Sequence, residues 1–145
     1  MLRRILWAVS VALGLAFALS VAVTAQQTPS TPKAKVYFVN LKNGATVTSP
    51  FKVEFGISGM KIAKAGTYEP GTGHHHLLID TKLSKADLAN PIPSDAQHIH
   101  FGGGQTETTL TLPPGKHTLQ LVLGDGNHVP HKPPVMSKVI TITVK

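Results

Sequence analysis

Histidine is the residue type in this sequence with the clearest chemical potential. All eight histidines fall between residues 74 and 131. The sequence has no cysteine, which excludes thiolate nucleophiles, iron–sulfur clusters and zinc-finger sites. Imidazole is a common neutral ligand of copper, zinc, nickel and iron. The clustering therefore predicts a metal site built from imidazoles.

The spacing of the histidines predicts which of them can share a cation. Alternate residues of a strand point to opposite faces, so His74 and His76 should lie on one face and His75 on the core face with Leu77 and Ile79. The same alternation places His98 and His100 of HIH (98–100) on one face. The motif HVPH (128–131) lies in a proline-stiffened loop, GDGNHVPHKPP (124–134). The expected ligands, in order of preference, are His74, His76, His128 and His131, then His98, His100, His75 and His117.

The donor set favours copper, with zinc as the alternative. A thiol-free, histidine-rich chain suits Cu(II) or Zn(II), and reduced copper also accepts the thioethers of Met60 or Met136. Four carboxylates are available to complete the site or to orient its imidazoles: Glu69, Asp80, Glu107 and Asp125.

Two other roles remain open for the histidines. In a non-catalytic adhesion or assembly module of the cell envelope, each imidazole would bind a backbone carbonyl, and the partner would be a surface protein or glycan. In a pH-responsive surface, clustered imidazoles would protonate near pH 6 and repel one another. Geometry separates the first of these from a metal site, because a metal needs three or more converging imidazole nitrogens.

Catalytic signatures are missing from the sequence. There is no Gly-x-Ser-x-Gly elbow, and Gly102-Gly103-Gly104 lacks the lysine and helix of a phosphate loop. The sequence therefore favours a binding protein and leaves any catalytic residues unknown. If an activity exists, the chemistry open to these residues is copper-dependent redox chemistry.

The elements that must position the histidines are short strands. Period-two alternation, with β-branched and aromatic residues, runs through VYFV (36–39), FKVEFGI (51–57), HHLLID (75–80), TETTLTL (106–112), HTLQLVL (117–123) and KVITITV (138–144). Glycine, proline and asparagine separate these strands. A single helical turn is expected at Ser84–Leu88. The pattern predicts an all-β fold, an antiparallel immunoglobulin-like β-sandwich of about seven strands, with a small β-barrel as the alternative.

The N-terminus predicts export. Arg3 and Arg4 precede an apolar run from Ile5 to Val23, and Val23-Thr24-Ala25 fits a cleavage site. We expect a signal peptide at 1–25, a disordered tether at 26–35 and a histidine-rich β-sandwich domain at 36–145, in a periplasmic or secreted protein. An uncleaved membrane anchor is the alternative.

The charge of the mature chain does not favour nucleic acid. Without Arg3 and Arg4 the chain keeps 12 lysines against 7 acidic residues, a formal charge of +5. The lysines are scattered and no arginine remains for bidentate phosphate contacts. We therefore expect a metal ion, and alternatively an envelope protein, as the partner.

Four stretches carry a family resemblance: KNGATVTSPFKVEFGISGM (42–60), GTGHHHLLID (71–80), QHIHFGGGQTE (97–107) and LPPGKHTLQLVLGDGNHVPHKPPV (112–135). They resemble a bacterial family of small exported domains known as domain of unknown function number 4399. The resemblance covers about Val36 to Val144. It implies no activity and assigns no ligands. NGATVTSP is also similar to the first turn of many bacterial immunoglobulin-like modules, at the level of fold alone.

Overall fold

A computed structural model describes residues 27–145. Its strands are β1 (Lys35–Phe38), β2 (Thr46–Val47), β3 (Phe51–Ser58), β4 (Lys61–Ile62), β5 (Thr72–Ile79), β6 (His98–His100), β7 (Glu107–Leu110), β8 (Gly115–Gly124) and β9 (Ile140–Val144). One 3-10 turn, Asp87–Ala89, overlaps the predicted helical turn at Ser84–Leu88 and extends one residue beyond it. Seven of the nine strands described have three or more residues, which agrees with the predicted number.

The strands form two sheets. The smaller sheet has the order β1-β3-β7, and the larger has the order β2-β9-β8-β5-β4, with β6 also paired to β5. Most pairs are antiparallel, whereas β2 with β9 and β4 with β5 are parallel. Neither sheet closes on itself among the described residues. The predicted all-β sandwich is confirmed, and the barrel alternative is not.

The core lies between the two sheets and follows the alternation of the sequence. Phe51, Val53 and Phe55 of β3 face it from the smaller sheet. From the larger sheet come Leu77 and Ile79 of β5 and the alternate apolar residues of β8 and β9, which are Leu119, Leu121, Leu123, Ile140, Ile142 and Val144. Burial of these side chains is the main force that holds the sheets together.

Loops cover the outer face of the larger sheet. Leu78 of β5 and Val122 of β8 point away from the main core, yet both are fully buried because Ile92 packs over them, with Leu83 and Met136 at the edge. The covering segments are the long connection from β5 to β6 and the chain after β8. This second layer makes the outward side of β5 a buried environment.

Of the predicted N-terminal segments, only the part from Gln27 onward lies within the described residues. The predicted signal peptide (1–25) lies outside the described residues. The expected tether (26–35) is described from Gln27 onward, and there it makes defined hydrogen bonds with the rest of the domain. Within residues 27–145 no helix has the length and apolar character needed to cross a bilayer.

Candidate metal centre

Strand β5 places two histidines on the covered outer face of the larger sheet. His74 and His76 alternate with His75, as the period of a strand requires. His74 is 0% exposed and His76 is 1% exposed, so both imidazoles lie beneath the loop layer. Sequence alternation predicted the face correctly, but it did not predict the burial.

Strand β6 supplies a third histidine through register. β6 runs antiparallel to β5 with His100 opposite His76, and side chains opposite each other on a sheet are neighbours. The two ring centroids are 5.0 Å apart. A Cβ on Gly102 would lie 2.5 Å from His100 Nε2. Glycine at this position therefore leaves the space that the imidazole occupies.

The fourth histidine comes from a loop held in an uncommon conformation. His128 has a φ of 66°, in the left-handed region that non-glycine residues rarely adopt. Its backbone N–H donates to the Asp125 carbonyl, and its own carbonyl accepts from the N–H of Ile92. The Asp125 carboxylate also accepts from the N–H groups of Asn127 and Val129, on either side of His128. These bonds hold the imidazole above β5.

The four imidazoles converge. One ring nitrogen from each of His74, His76, His100 and His128 lies within 4.8 Å of the other three. His74 Nε2 is 3.0 Å from His76 Nε2 and 3.2 Å from His128 Nδ1. Zinc–nitrogen bonds of about 2.0–2.1 Å in a tetrahedron would place two ligand nitrogens roughly 3.3 Å apart. These two separations are close to that value, and the others in the cluster are at most 4.8 Å.

Hydrogen bonding alone does not account for these contacts. An imidazole nitrogen carries either one proton or one lone pair in the ring plane. His74 Nε2 can therefore satisfy only one of its two close nitrogen neighbours. His100 Nε2 is buried and has no hydrogen-bond partner among residues 27–145. A cation that accepts lone pairs from the converging nitrogens would remove this conflict.

The surroundings keep the imidazoles neutral. Burial, followed by the neighbouring imidazoles, lowers the pKa of His74 to about 4 and that of His76 to about 2. Burial and then His128 also lower the pKa of His100. Neutral imidazole is the form that binds metals. The lone pairs of these three rings are therefore available at neutral pH.

Glycine also shapes the floor of the cluster. A Cβ on Gly124, the last residue of β8, would lie 2.8 Å from His76 Nε2 and 3.4 Å from the His128 Cα. The contact with His76 is too close for a real Cβ, whereas the contact with the His128 backbone is an ordinary van der Waals distance. The close approach of the His76 imidazole to the backbone of β8 therefore depends on glycine at this position.

Two predicted ligands lie away from the cluster, one inside the core and one in the loop after β8. His75 faces the core, 0% exposed, with its ring 5.3 Å from that of Phe55. His131 is also buried, and its ring nitrogens lie 3.0 Å from the Thr72 carbonyl and 3.3 Å from the Leu123 carbonyl. The predicted grouping of His131 with His74 and His76 is not observed, because these two carbonyls hold its ring near the start of β5.

Two further predicted ligands are engaged by carboxylates. His98 shares a face with His100, as alternation predicted, but its Nδ1 lies 2.8 Å from Asp95. His117 Nδ1 lies 2.6 Å from Asp80, and its Nε2 lies 2.9 Å from the Pro113 carbonyl. The hydrogen bond to Asp80, followed by that to Pro113, raises the pKa of His117. This pair ties the end of β5 to the start of β8.

The other polar and thioether candidates lie outside the cluster. Glu107 pairs with Lys52, and Met60 belongs to the main core. Asp125 binds loop backbone, so it supports His128 instead of joining the cluster. Within residues 27–145 no second group of histidines and carboxylates converges in this way.

The fold and the site thus define a class of protein: a β-sandwich in which four imidazoles converge on the loop-covered face of one sheet. The family model described as a domain of unknown function, DUF4399, matches residues 53–145, well over half of the chain. The chain belongs to this family, which confirms the resemblance seen in the sequence. No curated protein and no solved structure matches it.

Proposed function

We propose that this protein is an exported metal-binding protein that holds copper at His74, His76, His100 and His128. The observation that carries the proposal is the convergence of four imidazole nitrogens within 4.8 Å. Converging imidazoles are what a metal requires, whereas the adhesion module calls for histidines dispersed onto backbone carbonyls. Only part of the histidine set, such as His131, follows the second pattern.

The all-nitrogen donor set favours copper over zinc. For a given set of nitrogen ligands, Cu(II) binds more tightly than the other divalent first-row metals, including Zn(II). No thiolate is present in the chain to favour zinc. The predicted export signal supports a periplasmic or secreted location.

The exposure of the four rings supports a carrier or buffer role. His74 and His76 are sealed beneath the loops, whereas His100 and His128 are partly exposed. A metal here would have one sheltered side and one side that a donor or acceptor can approach. This asymmetry suits reversible transfer, and a redox site is the further option for bound copper.

Calorimetric titration of the tag-free mature chain with Cu(II) and Zn(II) tests the proposal. We expect one tight site, tighter for Cu(II), and a loss of at least about 100-fold in affinity for His74→Ala/His76→Ala and for His128→Ala, since the first removes two ligands and the second removes one. His98→Ala and His117→Ala are matched controls that remove imidazoles outside the cluster. They should bind as the unchanged protein does.

Two results would count against the proposal. One is binding no tighter than that of a surface histidine pair. The other is an equal loss of affinity in the control variants, which would mean that the metal is held by scattered histidines and not by the cluster.

A further inference from the structure

The segment Gln27–Ser30, which we call the N-terminal clasp, pairs with the loop that carries His128. Pro29 forms a parallel bridge with Lys132. The Lys132 N–H donates to the Thr28 carbonyl at 2.9 Å, and the Ser30 N–H donates to the Lys132 carbonyl at 3.1 Å. The Gln27 side-chain amide donates to the Pro130 carbonyl at 3.1 Å and also to the Leu88 carbonyl. The clasp thus adds a short strand to the edge of this loop.

One side-chain contact connects the clasp to the candidate metal centre. The Thr28 hydroxyl donates to Asp125 Oδ2 at 2.7 Å. Asp125 is 5% exposed, and its Oδ1 accepts from the Asn127 and Val129 N–H groups at 2.8 and 3.0 Å. Thr28 is therefore one carboxylate away from the backbone on both sides of His128. Without that hydroxyl, Oδ2 of a buried carboxylate would lose this hydrogen bond.

His128 is the ligand most sensitive to such a change. The other three cluster histidines lie on β5 and β6, where ladder hydrogen bonds fix the backbone. His128 lies in a loop with a φ of 66°, and such a conformation persists only where surrounding contacts enforce it. Asp125 supplies several of those contacts, and the clasp holds Asp125.

We infer that docking of the N-terminal clasp and metal binding at the four-histidine cluster are coupled through Thr28, Asp125 and His128. This inference rests on the proposed function. A docked clasp holds His128 in place for the metal, and the bound metal in turn stabilises the docked clasp. By linkage, the two effects have the same size. The residues after the predicted cleavage site are then part of the binding unit and not a tether.

The experiment uses the mature chain with Zn(II) as a diamagnetic probe. Thr28→Val removes the hydroxyl and keeps the shape, a chain beginning at Thr31 removes the clasp, and Thr46→Val is the matched control on an exposed strand residue. We expect Zn(II) to bind about tenfold more weakly to the shortened chain, within the usual range of coupling between sites, and more weakly to Thr28→Val than to Thr46→Val. Zn(II) should slow amide exchange at Ser30 and Lys132 in the unchanged protein by about the same factor.

Unchanged Zn(II) affinity in both clasp variants would overturn the coupling, and so would exchange at Ser30 and Lys132 that Zn(II) leaves unaltered. If the unchanged protein binds no Zn(II) and no Cu(II), the proposed function fails on its own. In that case, amide exchange in the metal-free protein tests whether the clasp positions the loop that carries His128. Faster exchange of the Asn127 and Val129 amides in Thr28→Val than in Thr46→Val would support the role of the clasp, and equal exchange would overturn it.

Discussion

The buried imidazole of His75 provides a sharp test of the energetics of this core. His75 is 0% exposed, its ring packs on Phe55, and neither of its ring nitrogens has a hydrogen-bond partner within residues 27–145. Its neighbours on the same face of β5 are Leu77 and Ile79. We predict that His75→Leu stabilises the metal-free protein, since leucine has a similar size and continues the apolar face.

The size of the effect at neutral pH follows from the unpaired nitrogens. A buried polar group without a partner costs about 1–3 kcal/mol. Leucine removes that cost while conserving most of the volume. We expect the free energy of unfolding of His75→Leu to exceed that of the unchanged protein by about 2 kcal/mol at pH 7.5.

The difference should grow in acid. Burial lowers the pKa of His75 from 6.5 to about 4, so the unfolded chain takes up the proton first as the pH falls. Above pH 6.5 the neutral His75 costs the folded state no stability through protonation. As the pH falls from 6.5 to the folded pKa, the free energy of unfolding decreases progressively. The loss amounts to about 3 kcal/mol, with a slope of about 1.4 kcal/mol per pH unit near pH 5. His75→Leu lacks this contribution, although His74 and His76 still make theirs.

Urea unfolding of the chelator-treated protein at several pH values between 4 and 7.5 measures both effects. His98→Leu is the matched control, because His98 is partly exposed and bonded to Asp95; it should not raise stability. Metal affinity of His75→Leu should be unchanged, since the ring lies on the opposite face from the cluster. A less stable His75→Leu with the same pH dependence as the unchanged protein would refute the reasoning and indicate that the ring nitrogens are hydrogen-bonded.

Two further predictions concern Gly124, which lies against the cluster, and the pair of Asp80 and His117 at the far end of β5. Gly124→Ala places a Cβ 2.8 Å from His76 Nε2, so a competition titration should show Cu(II) affinity lowered by about 10- to 100-fold; unchanged affinity would contradict the close approach. Asp80→Asn removes the partner that raises the pKa of His117. That pair stabilises the fold fully below pH 6.5 and less as the pH rises through the raised pKa. Thermal or urea unfolding should therefore show a loss of about 1 kcal/mol at pH 6 and a smaller loss at pH 9, and equal losses would argue against a charge pair.

The sequence by itself determined six of the nine described strands and which of their residues share a face. Alternation in FKVEFGI (51–57) and KVITITV (138–144) matches the buried faces of β3 and β9. The same rule separated His75 from His74 and His76 correctly. These features are predictable because the two-residue period of a strand is a local property, which needs only one buried face to become visible in the sequence.

Only the tertiary structure decided which histidines meet. His100 joins His76 through the register between β5 and β6, and His128 joins them through the path of a loop fixed by Asp125 and Thr28. His131, three residues further along that loop, is drawn away by two backbone carbonyls. Register and loop path depend on contacts between residues far apart in the chain, so the spacing of histidines within each segment does not encode them.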